Sequence, residues 1–318
     1  MAGKRIITIF GSTGNQGGSV VKTFLSDPKL KNDWAVRGVT RNVDSESAKK
    51  LSSQGVEMVA ADMNDKESLL KAVTGASAVF GVTNYWEKMD HNLEYEQGKK
   101  LADAVKEAGV NHYIWSSLKN VTELTNGKLS QVFHFDSKAR VEKYVRELGI
   151  PATFFLPGFF MSNLPGGMFR QTPPENNWTL ALPVPADTAK FPMFDTADSG
   201  KWLKAIVLNR DKLLGKQVFA ATNYMTPTEI VDEFKKAFPE AGKTASFFSV
   251  PHDMYINILT SNGMPEFAAK ELLENMRLME EGGYYGHASL DESHSILEDE
   301  LTTWEEYMKK APAFAELK

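Results

Sequence analysis

The feature that most constrains this chain stands at its start, where ITIFGSTGNQGGSVV puts glycines at 11, 14 and 17 between a short apolar run and a segment of helical period. A strand that turns into a helix through G-x-x-G-x-x-G uses each glycine differently: for a tight turn, for backbone approach to a bound pyrophosphate, and for close packing of helix on strand. The backbone N–H groups of Thr13, Gly14, Asn15 and Gln16 are then expected to point at phosphates, helped by the helix dipole. Gly11, Ser12 and Gly17 complete the expected cradle. A packing turn that binds nothing is the plain alternative, disfavoured by its place at the head of a strand–helix pattern. No Lys-Ser or Lys-Thr closes the motif, so a Walker loop is excluded.

The same rhythm continues along the chain. Arg5 to Phe10, Ala35 to Thr40, Val56 to Ala61, Ala78 to Val82, His112 to Ser116 and Ala152 to Leu156 read as strands. Gln16 to Leu25, Lys66 to Val73, Tyr95 to Ala108 and Phe133 to Leu148 read as helices, with apolar residues every three or four positions. Strict alternation needs right-handed crossovers, which build a Rossmann-type doubly wound parallel sheet. Near Pro157 the rhythm breaks, and GFFMSNLPGGMFRQTPPENN reads as a long loop over a cleft. Beyond it a helix over Asp195 to Leu208, a strand over Gln217 to Ala221, a capped helix over Thr226 to Ala237 and a strand over Ser246 to Val250 are expected.

The predicted class is therefore α/β, with a Rossmann-type domain over residues 1–157 and a smaller C-terminal α+β lobe over 158–318, some segments of which return to the first domain. Between Glu271 and Glu306 stand eleven acids and one arginine, read as a solvated acidic face with a partner-binding surface as the alternative. Met254, Met264, Met276 and Met279 read as core.

The residues after successive strands choose the ligand. An acid after the second strand would hold the ribose 2′-OH of NAD, but this chain has Val39-Thr40-Arg41-Asn42, and arginine suits a 2′-phosphate. NADP(H) is the expected cofactor, against the alternative of an arginine that is merely solvated. Asp62 and Met63 end the third strand where an adenine would lie, and Thr83, Asn84 and Tyr85 end the fourth on the same carboxyl edge of the sheet.

Composition removes other classes. A net charge of −5 gives no basic field for a nucleic-acid backbone, so direct nucleic-acid binding is not expected. The longest uncharged stretch, around Gly149 to Phe169, is broken by Pro151, Pro157 and Pro165, so no membrane helix is expected. With no cysteine there is no disulfide framework or thiolate metal site, and the histidines show no ligand spacing, so no metal is expected. The MAGKRIITIF start is too short in its apolar run for a signal peptide, and a cytoplasmic location, extending to the nucleus, is expected.

Taken together, FGSTGNQGGSVV, VTRN, VTNYWE, EQGKKLADAVKEAGV and HFDSKARVEKYVRELGIP resemble the NmrA-like family of atypical short-chain dehydrogenase/reductases, over nearly the whole chain and most closely its redox-sensor members. The resemblance implies an NADP(H)-binding protein that responds to the NADPH/NADP ratio through protein partners. The fungal member that gives the family its name is a negative regulator of a transcription factor. Carried over, the family's cofactor contacts fall on Gly11 to Gln16, Arg41, Asp62, Met63, Thr83 to Tyr85, Lys138, Pro157 and the segment Phe160, Met161, Ser162, Asn163.

Ordinary members of the superfamily use Tyr-x-x-x-Lys, where the tyrosine exchanges a proton with substrate and the lysine holds the nicotinamide ribose. Here the spacing gives His134-x-x-x-Lys138, on one helix face, and Ser116 and Ser117 stand where the catalytic serine would. His134 and Lys138 are the candidate catalytic residues. The resembling sensors share the histidine and have little or no activity, so sensing is the first reading. The alternative is an NADPH-dependent reductase of a small hydrophobic carbonyl or enone, like the isoflavone-reductase branch, with Phe159, Phe160, Met161, Met168 and Phe169 as pocket wall or as core.

Overall fold

A computed structural model describes residues 3–317. Its central element is a seven-stranded sheet of β1 (Arg5–Ile9), β2 (Trp34–Thr40), β3 (Glu57–Ala60), β4 (Ala78–Gly81), β5 (His112–Ser116), β6 (Ala152–Pro157) and, much later in the chain, β11 (Gln217–Ala220). The spatial order is β11-β6-β5-β4-β1-β2-β3, and every pairing is parallel. The middle strands are apolar without alternation because helices cover both faces; all residues of β4, β5 and β6 are buried. On one face pack helices Asn15–Ser26 and Ser199–Leu208, through Val20, Val21, Phe24, Trp202, Leu203 and Ile206. On the other pack helices Lys66–Val73, His91–Glu107 and Phe133–Glu147, through Leu69, Val73, Leu101, Val105, Val141 and Val145.

Chain order reverses between β1 and β4, so the loops that leave their carboxyl ends diverge and open a crevice there. The remaining strands cap that end of the sheet. β7 (Phe159–Phe160), β10 (Phe191–Phe194) and β12 (Asn223–Met225) form one small sheet; β8 (Phe169–Thr172), β9 (Asn177–Leu182) and β13 (Ser246–Ser249) form another. Phe169, Trp178, Phe234 and Phe314 pack together beneath it. Among the described residues no helix is long and apolar enough to cross a membrane.

Two expectations are corrected, and one further helix is present. The segment after Pro157 is not one long loop: it carries β7, a 3₁₀ turn over Met161–Asn163, and β8, which pairs antiparallel with β9. Its glycines and prolines mark the turns between very short strands, and strands of two to four residues leave too little alternation to read. Helix Glu46–Ser53 was not anticipated; Ser45 caps it by accepting from the Ala48 N–H. Met254, expected in the core, is 46% exposed on helix His252–Ser261, whereas Met276 and Met279 are buried.

His112 on β5 is buried, and its Nε2 lies 2.9 Å from the Thr153 hydroxyl oxygen. That hydroxyl donates to the Leu213 carbonyl, so it accepts from Nε2–H. Burial, with Arg210 nearby, brings the pKa down to about 4. The unfolded chain therefore takes up a proton below about 6.5 that the folded chain refuses, and stability falls as pH drops from about 6.5 toward 4. His112→Gln, which keeps a donor, should remove up to about 3 kcal/mol of that pH dependence in denaturant titrations at pH 7 and pH 4.5. Parallel curves for the two proteins would show that His112 does not titrate in this way.

Candidate functional site

The glycine loop has the geometry that its spacing asks for. Gly11 leaves β1 at φ +63°, in the left-handed region, and the Gly14 N–H donates to the Gly11 carbonyl at 2.9 Å. A Cβ on Gly17 would lie 2.2 Å from that carbonyl oxygen, so a side chain there would push the helix off the turn. Gly14 is the N-cap of helix Asn15–Ser26, and no side chain caps it. The helix's first N–H groups are left to serve a ligand, with the positive end of the dipole behind them. Ser12 faces the other way: fully buried, its hydroxyl donates to the Val39 carbonyl at 3.1 Å and ties the loop to β2.

In front of this loop lies a cavity of about 700 Å³ along the carboxyl ends of β1 to β4. Gly11, Thr13, Gly14, Asn15, Gln16 and Gly17 form its floor, Arg41 and then Asp62 and Met63 one end, and Thr83, Asn84, Tyr85 and Phe160 the other. Arg41 is two-thirds exposed, and its guanidinium meets Glu87 at 2.6 Å; the pair raises the arginine pKa and holds the carboxyl of Glu87 below its ordinary value.

A second chamber of about 500 Å³ shares Gln16, Val82, Thr83, Asn84, Tyr85 and Phe160 with the first. His134, Lys138, Pro157 and Asn163 line it, as do Trp86, Phe135, Phe159, Met168, Leu272, Asn275, Met276 and Tyr284. His134 and Lys138 thus share one wall, as their i, i+4 spacing requires. Ser116 also lines this chamber, its hydroxyl 3.3 Å from Gln16 Oε1, whereas Ser117 is buried against Glu142 at 2.6 Å. Two residues of the 160–163 segment stay out of both cavities: Met161 is fully buried in the core, and Ser162 is exposed. Phe169 is core as well.

Two buried carboxylates organise the junction, and neither was singled out from the sequence. Glu94, on helix His91–Glu107, accepts from the Thr83 hydroxyl at 2.7 Å, from the Ser137 hydroxyl and from the Lys138 ammonium. Lys138 also donates to the Thr83 carbonyl at 3.2 Å and to its hydroxyl oxygen at 3.0 Å, so all three of its protons have protein acceptors. Glu271, on helix Glu266–Glu281, accepts from the Tyr85 hydroxyl at 2.6 Å, the His134 backbone N–H at 2.9 Å and His134 Nδ1 at 2.6 Å. Burial and this carboxylate push the Tyr85 pKa far above its ordinary value, so the phenol keeps its proton.

Reading the acidic run from Glu271 as a solvated face is therefore corrected at its first members. Glu271 is fully buried, and Glu274 is buried against Gln131, accepting from its backbone N–H at 2.7 Å and its side-chain amide at 3.0 Å. The available signal was helical phase. Glu94 falls in line with Gly98, Leu101 and Val105, and Glu271 with Ala268 and Leu278, both on buried stripes.

Losing the Lys138 ammonium would leave Glu94 charged and buried. Lys138→Ala should lower the unfolding free energy by about 3–5 kcal/mol, the usual cost of breaking a buried pair from one side. Adding Glu94→Gln should restore a large part of it in urea titrations. A loss below about 1 kcal/mol in the single variant would mean that the pair is not held as described.

The model of the NmrA-like family matches residues 3–308. An NmrA-like family domain-containing oxidoreductase, malD, from Malbranchea aurantiaca is 32% identical over 271 residues, covering 79% of each chain. A second, hkm9 of Aspergillus hancockii, is 30% identical over 296 residues, covering 89% of this chain and 85% of its own. Among solved structures, the negative transcriptional regulator NmrA in complex with NADP superposes with a TM-score of 0.79 at 20% identity, over 99% of this chain and 95% of that one. The same regulator has also been solved with NAD. The triphenylmethane reductase of a Citrobacter species, complexed with NADP(H), superposes with a TM-score of 0.77 at 21% identity, over 96% and 99% of the two chains.

Proposed function

The chain belongs to the NmrA-like family, and we propose that it binds NADP(H) in the larger cavity and reduces a small, largely apolar compound in the adjoining chamber. One observation carries this reading: a dinucleotide-sized crevice and a mainly apolar chamber share a wall at Thr83, Asn84, Tyr85 and Phe160. That its relatives are named oxidoreductases supports the same conclusion.

The residues fit the cofactor. The uncapped helix start behind Gly14 suits a pyrophosphate, the Gly11–Gly17 contact admits no side chain, and Asp62 and Met63 stand at the adenine end. Arg41, with Lys88 on the same rim, would hold a 2′-phosphate. When bound, the reduced nicotinamide supplies a hydride. Lys138, locked by Glu94, keeps a fixed positive charge beside Thr83. While the Glu271 carboxylate accepts from His134 Nδ1, the other ring nitrogen is the one that can exchange a proton at the chamber wall. In this reading residues 1–157 hold the cofactor, and 158–318 supply the outer wall of the chamber.

A second reading, cofactor sensing through a protein partner, rests on histidine standing in place of the superfamily tyrosine. NADPH oxidation followed by absorbance with a panel of conjugated carbonyl compounds separates the two. Sustained multiple turnovers support the reductase; tight NADPH binding with no turnover supports the sensor.

Cofactor choice has its own test, because Arg41 is already paired with Glu87. Arg41→Ala should narrow the preference for NADP(H) over NAD(H) by about 1.5–3 kcal/mol. Glu87→Gln should tighten NADP(H) by about two- to fivefold, the strength of an exposed pair, and leave NAD(H) unchanged. Calorimetric titration decides it, and equal affinities of the unaltered protein for both dinucleotides would defeat the assignment.

A further inference from the structure

Resting on the reductase reading, we infer that Asn275 selects the substrate by donating a hydrogen bond to the neutral carbonyl oxygen of a flat conjugated compound. Four buried side-chain polar atoms have no hydrogen-bond partner among the described residues: Trp34 Nε1, Tyr113 OH, Trp202 Nε1 and Asn275 Nδ2. The first three belong to rings packed within the core, and of the four residues Asn275 alone lines either of the two cavities described above. Asn275 is 7% exposed and its unpaired Nδ2 is itself buried, which costs on the order of 1–3 kcal/mol unless rotation of the amide turns Nδ2 toward a ligand in the chamber. A fold tolerates that where a ligand supplies what is missing.

The placement is set by the helix that also carries Glu271. Asn275 follows Glu271 by one turn, and its neighbours Leu272 and Met276 line the same chamber, so this face of helix Glu266–Glu281 looks into it. Apolar and aromatic side chains, Trp86, Phe135, Phe159, Phe160 and Met168, make up much of the remaining wall, with the polar groups at the β4 end and at His134 and Lys138 on the side shared with the larger cavity. Trp86 is 39% exposed and stands edge-on to Tyr85, with ring centroids 5.1 Å apart, which leaves an indole surface for a flat ligand.

Charge narrows the acceptor further. The one ammonium of the chamber wall, Lys138, is neutralised by Glu94, and Glu271 and Glu274 are buried carboxylates on Asn275's own helix. An anionic ligand beside Asn275 would meet like charge with no free cation. A neutral acceptor conjugated to a ring system answers both the amide and the aromatic walls, and conjugation to a carbonyl is also what makes a carbon receptive to hydride.

The test uses NADP⁺-saturated protein, in which no hydride is available, and two ligands of one shape: 2-acetylnaphthalene and 2-isopropenylnaphthalene, which replaces the carbonyl oxygen with a methylene. Calorimetry gives the ketone-to-alkene affinity ratio. Asn275→Leu should lower that ratio by about tenfold relative to the unaltered protein, as loss of one buried hydrogen bond implies. Asn275→Ala, a smaller change, should lower it likewise if the leucine variant fails to fold. An unchanged ratio in a folded variant overturns the inference, as does failure of the unaltered protein to bind the ketone. If the ratio shifts but the ketone is never reduced with NADPH, Asn275 stands as the anchor and the reductase reading falls. If reduction occurs with an unchanged ratio, the reductase stands and the role of Asn275 falls.

Discussion

A carboxylate buried in a protein is tolerated only when its oxygens are hydrogen-bonded, and the arrangement at the carboxyl end of this sheet follows from meeting that condition twice. Glu94 draws in Thr83 from the end of β4, Ser137 and Lys138 from helix Phe133–Glu147, and so fixes two helices to one strand end. Glu271 does the same from the C-terminal side, gathering Tyr85 and both the backbone and ring of His134. Removing Lys138 leaves the Glu94 charge unanswered, and removing any other donor leaves a buried carboxylate oxygen short of a hydrogen bond, so these residues are held as a set.

That set stands where two cavities meet. β4 leads into Thr83, Asn84 and Tyr85, which border both, and the two carboxylates tie this strip down at Thr83 and at Tyr85. The polar contacts of the larger cavity are of another kind, supplied by backbone at the glycine loop and by exposed charge at Arg41 and Glu87. In the proposed reading, backbone groups and rim charges suit a long anionic ligand, and the adjoining chamber, whose one ammonium is paired with Glu94, suits a small neutral one.

Much of this was legible in the sequence because it rests on local rules. Gly11, Gly14 and Gly17 announce a strand–turn–helix whatever follows, and the Gly17 contact with the Gly11 carbonyl is a local event. The parallel sheet follows from the alternation of elements, and His134 and Lys138 share a wall because of helical periodicity. What escaped was long-range. Glu271 lies 137 residues from His134, and in sequence it looks like any member of an acidic run; only its phase among Ala268 and Leu278 marks it as buried. Glu94 was hidden in the same way. The short strands between Phe159 and Leu182 escaped because their partners are set by tertiary packing, and Arg41's pairing with Glu87 escaped because side-chain rivals for a ligand leave no pattern.

If the two cavities are one site, with the reactive end of the cofactor at the strip they share, a crystal structure of the complex with NADP⁺ will hold the adenine beside Asp62 and Met63, the pyrophosphate over Thr13 to Gln16, and the nicotinamide ring at Thr83 to Tyr85 with one face open to the chamber lined by His134 and Asn275. A nicotinamide turned out to solvent, or a dinucleotide whose own ring fills the chamber, would contradict it.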